Sequence, residues 1–305
     1  MSKDKQNRTV QTTGHAWDGD IQEFNNPLPN WWVWGFYLTV VFAVIYWFLY
    51  PAWPIGESYT KGMGNDIEYK TADGKVVKSH WNTRALYEKE LAEARAEQAK
   101  YVSELKDASY QDILKDNDKR EFAFSMAKVL FADNCVACHQ QGGAGLIGMY
   151  PSLVDDDWIW GGEYAHIDQS IREGRKGSMP GFGTRFNETQ IEDLAEYVLS
   201  MSGQHQDAAK VNRGKQLFEG EAGCFACHTN TGTGQIAMGA ANLTDHIWTV
   251  AEFSSKDTYS KKAYAVKSVI SNGVSRTMPS WKGRFTDTEL KMLALYVKEL
   301  GSTKE

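Results

Sequence analysis

The sequence predicts a mainly α-helical chain, with one N-terminal transmembrane helix followed by two tandem all-α domains. Three observations predict it. Trp31 to Tyr50 is a twenty-residue run without a charge; two Cys-x-x-Cys-His strings stand 89 residues apart; and the residues around each string repeat. The 305 residues hold 42% hydrophobic and 12% aromatic side chains, enough for packed cores, so a disordered chain is excluded. All four cysteines lie inside the two strings, which leaves none for a structural disulfide. A net charge of −6 gives no electrostatic case for nucleic-acid binding.

Residues 1–30 form a polar N-terminal segment, and residues 31–50 (WWVWGFYLTVVFAVIYWFLY) form the membrane helix. Twenty helical residues cover about 30 Å, the thickness of the bilayer hydrocarbon. Trp31, Trp32 and Trp34 at one end, with Trp47, Tyr50 and Trp53 at the other, supply the aromatic belts of two interfaces. A buried core helix is the competing reading, but the rest of the chain brings mean hydropathy down to −0.48 despite this run. A cleaved signal peptide fits worse: the run is too long, follows thirty polar residues and ends at Pro51 and Pro54. Charge bias scarcely orients the helix, with Lys3, Lys5 and Arg8 before it and Lys61 and Lys70 after it.

Residues 51–120 read as a linker. Ile67 to Lys78 predicts a short hairpin around Asp73-Gly74, a pair suited to positive φ. From Asn82, a candidate N-cap, to Lys106 the chain is free of Gly and Pro and rich in helix formers. Tyr87, Leu91, Ala94, Gln98, Tyr101 and Leu105 make one narrow stripe along that helix. It is either solvated or packed on a partner subunit or the following domain.

Cys135-Val-Ala-Cys138-His139 and Cys224-Phe-Ala-Cys227-His228 each fit attachment of heme c. Two cysteines one helical turn apart can add to the two vinyl groups as thioethers, and the adjoining histidine is placed to ligate iron. A redox dithiol or a chance match explains one string poorly and two worse, and a zinc site would want a tetrahedral ligand set. Two covalently bound hemes c follow. Leu130-Phe131, Leu153, Trp158, Arg185-Phe186 and Leu194-Ala195-x-Tyr197-Val198 recur as Leu217-Phe218, Leu243, Trp248, Arg284-Phe285 and Leu293-Ala294-x-Tyr296-Val297. The chain is therefore a duplication of cytochrome c-like heme domains, 121–203 and 204–305, with about ten extra residues between Trp248 and Val266. Glu188 to Met201 and Asp287 to Leu300 predict C-terminal helices that pack near each CxxCH helix. The first repeat carries 5 basic and 12 acidic side chains, the second 13 and 10.

The sixth iron ligand is expected from a loop far along each repeat. Met179 in Gly-Ser-Met-Pro-Gly and Met278 in Arg-Thr-Met-Pro-Ser occupy matching places, each stiffened by a proline. His/Met ligation fills both axial positions and raises the potential, which suits electron transfer. The expected pairs are His139 with Met179 and His228 with Met278. Met149 and Met238, each ten residues after a ligand histidine, are the rival pair, read as pocket-lining. His166, His205 and His246 are further alternatives, but no two of them match between repeats.

These residues, with His15-Ala-Trp17-Asp18-Gly19, Glu23-Phe-Asn25-Asn26-Pro27-Leu28-Pro29-Asn-Trp31-Trp32, Asp155-Asp-Asp-Trp158-Ile-Trp160-Gly161-Gly162 and Ala240-Ala-Asn242-Leu243-Thr244-Asp245, resemble the di-heme subunit III of cbb3-type cytochrome c oxidase over nearly the whole chain. Ala241 stands where the family pattern would have proline. The resemblance implies a bacterial inner-membrane protein with its N-terminus cytoplasmic and its heme domains periplasmic, since heme is attached to c-type cytochromes outside the cytoplasm. It implies that the N-terminal string docks on the heme–copper catalytic subunit. Electrons would enter from a soluble periplasmic c-type cytochrome and leave through a monoheme cytochrome c subunit to the catalytic subunit. The isolated chain is then an electron-transfer subunit, with no catalytic residues of its own. Lys256, Lys261 and Lys262 are the expected docking face for the donor. Two other readings compete: a di-heme peroxidase, which needs one open axial position, and an anchored cytochrome without a stable complex, which has no use for the N-terminal string.

Overall fold

The computed structural model describes residues 10–71, 73–254 and 256–301, and the chain divides into two compact units, 1–99 and 100–305. Lys3, Lys5 and Arg8, weighed above for orientation, lie outside the described residues.

In the first unit β1 (Thr12–Trp17) and β2 (Ile21–Phe24) form an antiparallel hairpin within the polar N-terminal segment, for which no secondary structure was expected. The turn signal was present: Asp18 and Gly19 both take positive φ, as a two-strand turn requires. α1 (Asn30–Leu49) is the expected apolar helix, long enough to cross a membrane, one residue earlier than expected at each end, and none of its residues is buried by protein. That is the pattern of a helix whose apolar surface is covered by lipid. β3 (Pro54–Ile55) and β4 (Ser58–Tyr59) turn through Gly56-Glu57. β5 (Ile67–Lys70) and β6 (Val76–Ser79) form the predicted hairpin, with Gly74 at φ +80° and its N–H donating to the Thr71 carbonyl. α2 (Thr83–Asp107) begins as predicted, because the Asn82 side chain accepts from the Ala85 N–H at 2.9 Å. Tyr87 is exposed, but at the other end of the stripe, inside the second unit, Leu105 is fully buried and Tyr101 stacks on Phe122.

After the end of α2, the second unit continues with α3 (Tyr110–Lys115), α4 (Asn117–Asn134) and α5 (Val136–His139), the last carrying the first heme-attachment string. α6 (Tyr164–Glu173), β7 (Arg175–Met179) and α7 (Glu188–Met201) complete the first repeat. The second has the same order: α8 (Ala208–Glu219), α9 (Phe225–His228), α10 (Tyr259–Asn272), β8 (Val274–Met278) and α11 (Asp287–Glu299). Both C-terminal helices open with capping boxes, Asn187 with Gln190 and Thr286 with Glu289.

The repeats do not pack as two separate beads. α7 of the first packs on α8 and α10 of the second, while α11 of the second packs on α4 and α6 of the first. One core joins Leu194, Val198 and Leu199 of α7 to Phe218, Val266 and Ile270; the other joins Phe131, Ile167 and Ile171 to Leu290, Leu293 and Val297 of α11. The exchange begins at two glycines. Gly174 and Gly273 both take φ +73°, and a Cβ at either would meet the other repeat's backbone, Met278 O at 2.5 Å and Met179 O at 2.5 Å respectively. The strands that follow pair antiparallel in register, Arg175 opposite Met278 and Met179 opposite Val274. Beyond them the Phe182 and Trp281 N–H groups donate to the Ile270 and Ile171 carbonyls, again each into the other repeat. The expectation that each C-terminal helix packs in its own repeat is thus corrected. The six-residue connection 202–207 makes α7 and α8 sequential neighbours, whereas α11 has to return across the whole repeat to α4.

Candidate heme sites

Each site starts from a short helix whose last residue is the ligand histidine. The Cys135 carbonyl accepts from the His139 N–H and the Cys224 carbonyl from the His228 N–H, both at 2.9 Å, so each cysteine stands one turn from its histidine. The residue after each histidine, Gln140 or Thr229, takes φ +63°, a strained region for a non-glycine, at matching places. This turns the chain back sharply, so that the Gly145 and Gly234 N–H groups donate to the carbonyls of His139 and His228.

The returning loops orient the rings. His139 Nδ1–H donates to the Pro151 carbonyl at 3.2 Å and His228 Nδ1–H to the Ala241 carbonyl at 2.9 Å. The acceptor is a backbone oxygen, which explains why Ala241 serves where proline was expected. A carbonyl can only accept, so Nδ1 carries the proton and Nε2 keeps its lone pair for a metal. Burial pulls both imidazoles below the ordinary histidine value, partly offset by the carbonyl bonds, and favours the neutral form that ligates. Burial also pushes the Cys135 and Cys224 thiols up to about 11. Such thiols are poor nucleophiles by themselves, and no disulfide joins any two of the four cysteines.

His228 lines an open apolar cleft. Met179 lines the same cleft, and Met278 does not. Met278 packs on the core that holds Cys135, Val136, Leu153 and Trp158. Met179, expected with His139, thus lines the His228 cleft, and Met278, expected with His228, packs on the same core as Cys135, because each Met strand crosses into the other repeat. The rivals Met149 and Met238 are 53% and 52% exposed, and His205 and His246 are exposed as well. His166 packs against the Gly161 turn, where a Cβ would meet its ring at 2.3 Å.

The cleft fits the cofactor that the CxxCH string implies. Its wall is apolar, it holds a histidine nitrogen and a thioether, and the buried Trp248 indole N–H has no acceptor, as a donor waiting for an anionic group would. No cluster of three or more His, Cys, Asp or Glu suited to a bare metal ion occurs among the described residues. Sequence reasoning missed the lining supplied by the extra segment. Thr249, Val250 and Ala251 border the cleft, and Phe253 is buried behind Trp248 with ring centroids 4.9 Å apart. Its signal was the apolar run Val250-Ala251 followed by Phe253 at the start of the insertion.

Comparison with known proteins agrees with these features. The sequence model described as "Cytochrome C oxidase, cbb3-type, subunit III" matches residues 123–198 and again 209–297. That described as "N-terminal domain of cytochrome oxidase-cbb3, FixP" matches residues 9–57. The cbb3-type cytochrome c oxidase subunit FixP of Azorhizobium caulinodans is 37% identical over 299 residues, which cover 95% of this chain and 92% of the relative. The corresponding subunits named CcoP are 37% identical in an Azospirillum species (97% of this chain, 96% of the relative) and 36% in Cereibacter sphaeroides (95% and 94%).

Proposed function

The chain belongs to the subunit III family of cbb3-type cytochrome c oxidases, and on that premise we propose that it is the membrane-anchored, di-heme electron-entry arm of such an oxidase. It takes electrons from a soluble periplasmic c-type cytochrome and passes them, through a monoheme cytochrome c subunit, to the heme–copper catalytic subunit. α1 anchors it in the bacterial inner membrane, with residues 1–30 cytoplasmic and the second unit periplasmic. The observation that carries the reading is the pair of CxxCH helices within one compact unit, with Met179 lining the His228 cleft and Met278 packed on the core that Cys135 also joins.

Cys135 and Cys138 would bind the first heme c, with His139 and Met278 to hold its iron. Cys224 and Cys227 would bind the second, with His228 and Met179 to hold its iron. Each heme supplies a one-electron Fe(III)/Fe(II) couple. The chain's own residues fix its behaviour: the Pro151 and Ala241 carbonyls hold the imidazoles in one tautomer, and the apolar walls exclude water. The prolines after both methionines stiffen the strands that present them. A histidine and a methionine committed to each heme would leave no ligand position open to peroxide.

The test uses one-heme variants. In the Cys135→Ala/Cys138→Ala chain, only the heme at His228 remains. Met179→Leu should then convert it from low to high spin and abolish its methionine-to-iron charge-transfer band, while Met278→Leu leaves both intact. The reverse result would restore the unexchanged pairing.

A further inference from the structure

The antiparallel ribbon of β7 and β8 carries a charge on its symmetry axis. Met179 and Met278 are related by 99 positions along the sequence, and so are the other residues of the two strands. In the ribbon, Gly177 pairs with Arg276, which are also 99 positions apart. Sequence equivalence and hydrogen-bond register coincide at that pair and at no other, so the pseudo-twofold axis relating the repeats passes through it. Along each strand Arg175, Gly177 and Met179, and likewise Val274, Arg276 and Met278, are half-buried, while the residues between them are exposed. Arg276 thus lies on the same inward face as both methionines. It is two residues from Met278 on its own strand, and its partner Gly177 is two residues from Met179. At about 3.3 Å per residue, each offset is about 7 Å.

The guanidinium reaches both repeats. It donates to the Gly148 carbonyl, in the loop that turns back beneath His139, and at 3.4 Å to the Thr249 carbonyl, in the wall of the His228 cleft. Gly148 N–H in turn donates to the Thr249 carbonyl. Arg172 and Arg213 are paired with carboxylates, but among the described residues no carboxylate stands within ion-pair distance of Arg276. Among the protein's own groups this half-buried cation meets carbonyl dipoles and no carboxylate. Its partial desolvation pulls it below the ordinary arginine value without discharging it.

We infer that Arg276 is a cation shared by the two heme sites, which stabilises the ferrous form of both irons and raises both reduction potentials together. This rests on the two-heme reading above. Taking up one electron makes each site less positive, so a fixed positive charge nearby favours the reduced state, and a charge on the axis acts on both. Arg175, on the same face but opposite Met278, lies off the axis and nearer the His139 site.

Spectroelectrochemical titration of the purified full-length, heme-loaded chain tests this, with both hemes in every variant first shown low-spin with their methionine-to-iron bands. Arg276→Gln should lower the reduction equilibrium constants of both hemes about tenfold, a shift of about 59 mV for a one-electron couple. Arg276→Lys, which keeps the charge, should leave both near the parent, and Arg175→Gln should lower the His139 heme more than the His228 heme. Equal falls in the Lys and Gln variants would overturn the inference, since lost carbonyl bonds would then be the cause. A shift at one heme alone in Arg276→Gln, or at neither, would overturn it too. Failure of the ligand reading shows separately, as high-spin heme in the parent chain.

Discussion

At the residue scale, among the described residues, Trp248, His166 and Asp157 each keep a buried polar atom without a partner. Trp248 faces the cleft, where an anionic group of the cofactor would satisfy it. Asp157 is a carboxylate whose charge is unwelcome. Burial, then the charges of Asp245 from the other repeat and Asp155, push its carboxyl from 3.8 up to about 6. The folded state therefore holds this proton more tightly than the unfolded one. The penalty is fully present above pH 6, declines as pH falls through the folded value, and is gone below 3.8. Asp157→Asn should raise the melting temperature at pH 7 and flatten its rise on acidification between pH 6 and 4. Thermal melts across that window check it, and an unchanged slope would show that Asp157 is not the titrating group.

The element scale is governed by two helix crossings. Where α8 crosses α7, a Cβ on Gly214 would stand 1.9 Å from the Asp193 carbonyl oxygen and 2.7 Å from Tyr197 Cβ. Only glycine allows that approach. Around the contact, Asp193 accepts two bonds from Arg213 at 2.8 Å, and Glu196 accepts from the Gln206 and Asp207 N–H groups at 2.6 Å, which ties the connection 202–207 down. Gly214→Ala should separate the helices and cost about 1–3 kcal/mol by overpacking, or more because backbone is struck. A fall in denaturation midpoint with an unchanged denaturant slope is the expected outcome. The equivalent crossing of α4 and α11 uses Ala127, fully buried, beside a Phe131–Tyr296 edge contact at 5.6 Å. Here the Lys291 ammonium also donates to the Leu105, Lys106 and Ala108 carbonyls, closing the C-terminus of α2.

For the whole molecule, the charge difference between the repeats, acidic in the first and mildly basic in the second, matters most for association with partners. The lysines expected to face the donor have individual settings: Lys261 pairs with Asp257 at 3.0 Å, and Lys262 donates to Gln204 at 2.8 Å. Reversing Lys256, Lys261 and Lys262 to Glu should slow oxidation of an acidic donor cytochrome and weaken its dependence on ionic strength. An unchanged salt profile would move the docking face elsewhere.

Much of this was legible without coordinates. The charge-free run fixed the anchor, because span length and charge are local properties. The CxxCH strings fixed heme attachment, because thioether and imidazole spacing is contained in one helical turn. The hairpin at Asp73-Gly74 and the Asn82 cap follow from neighbouring residues for the same reason. The β1–β2 hairpin was missed although Asp18-Gly19 signalled it, since neither strand has an apolar face. Which methionine meets which histidine was beyond the sequence. Closed and exchanged repeats bury the same side chains against the same partners, so hydrophobic periodicity and the internal matches are identical in both. The two forms differ only at Gly174 and Gly273 and in the ribbon that follows. The tertiary structure decided the exchange by pairing β7 with β8, and with it placed Met179 at His228, Met278 on the core of Cys135, and Arg276 on the axis between them.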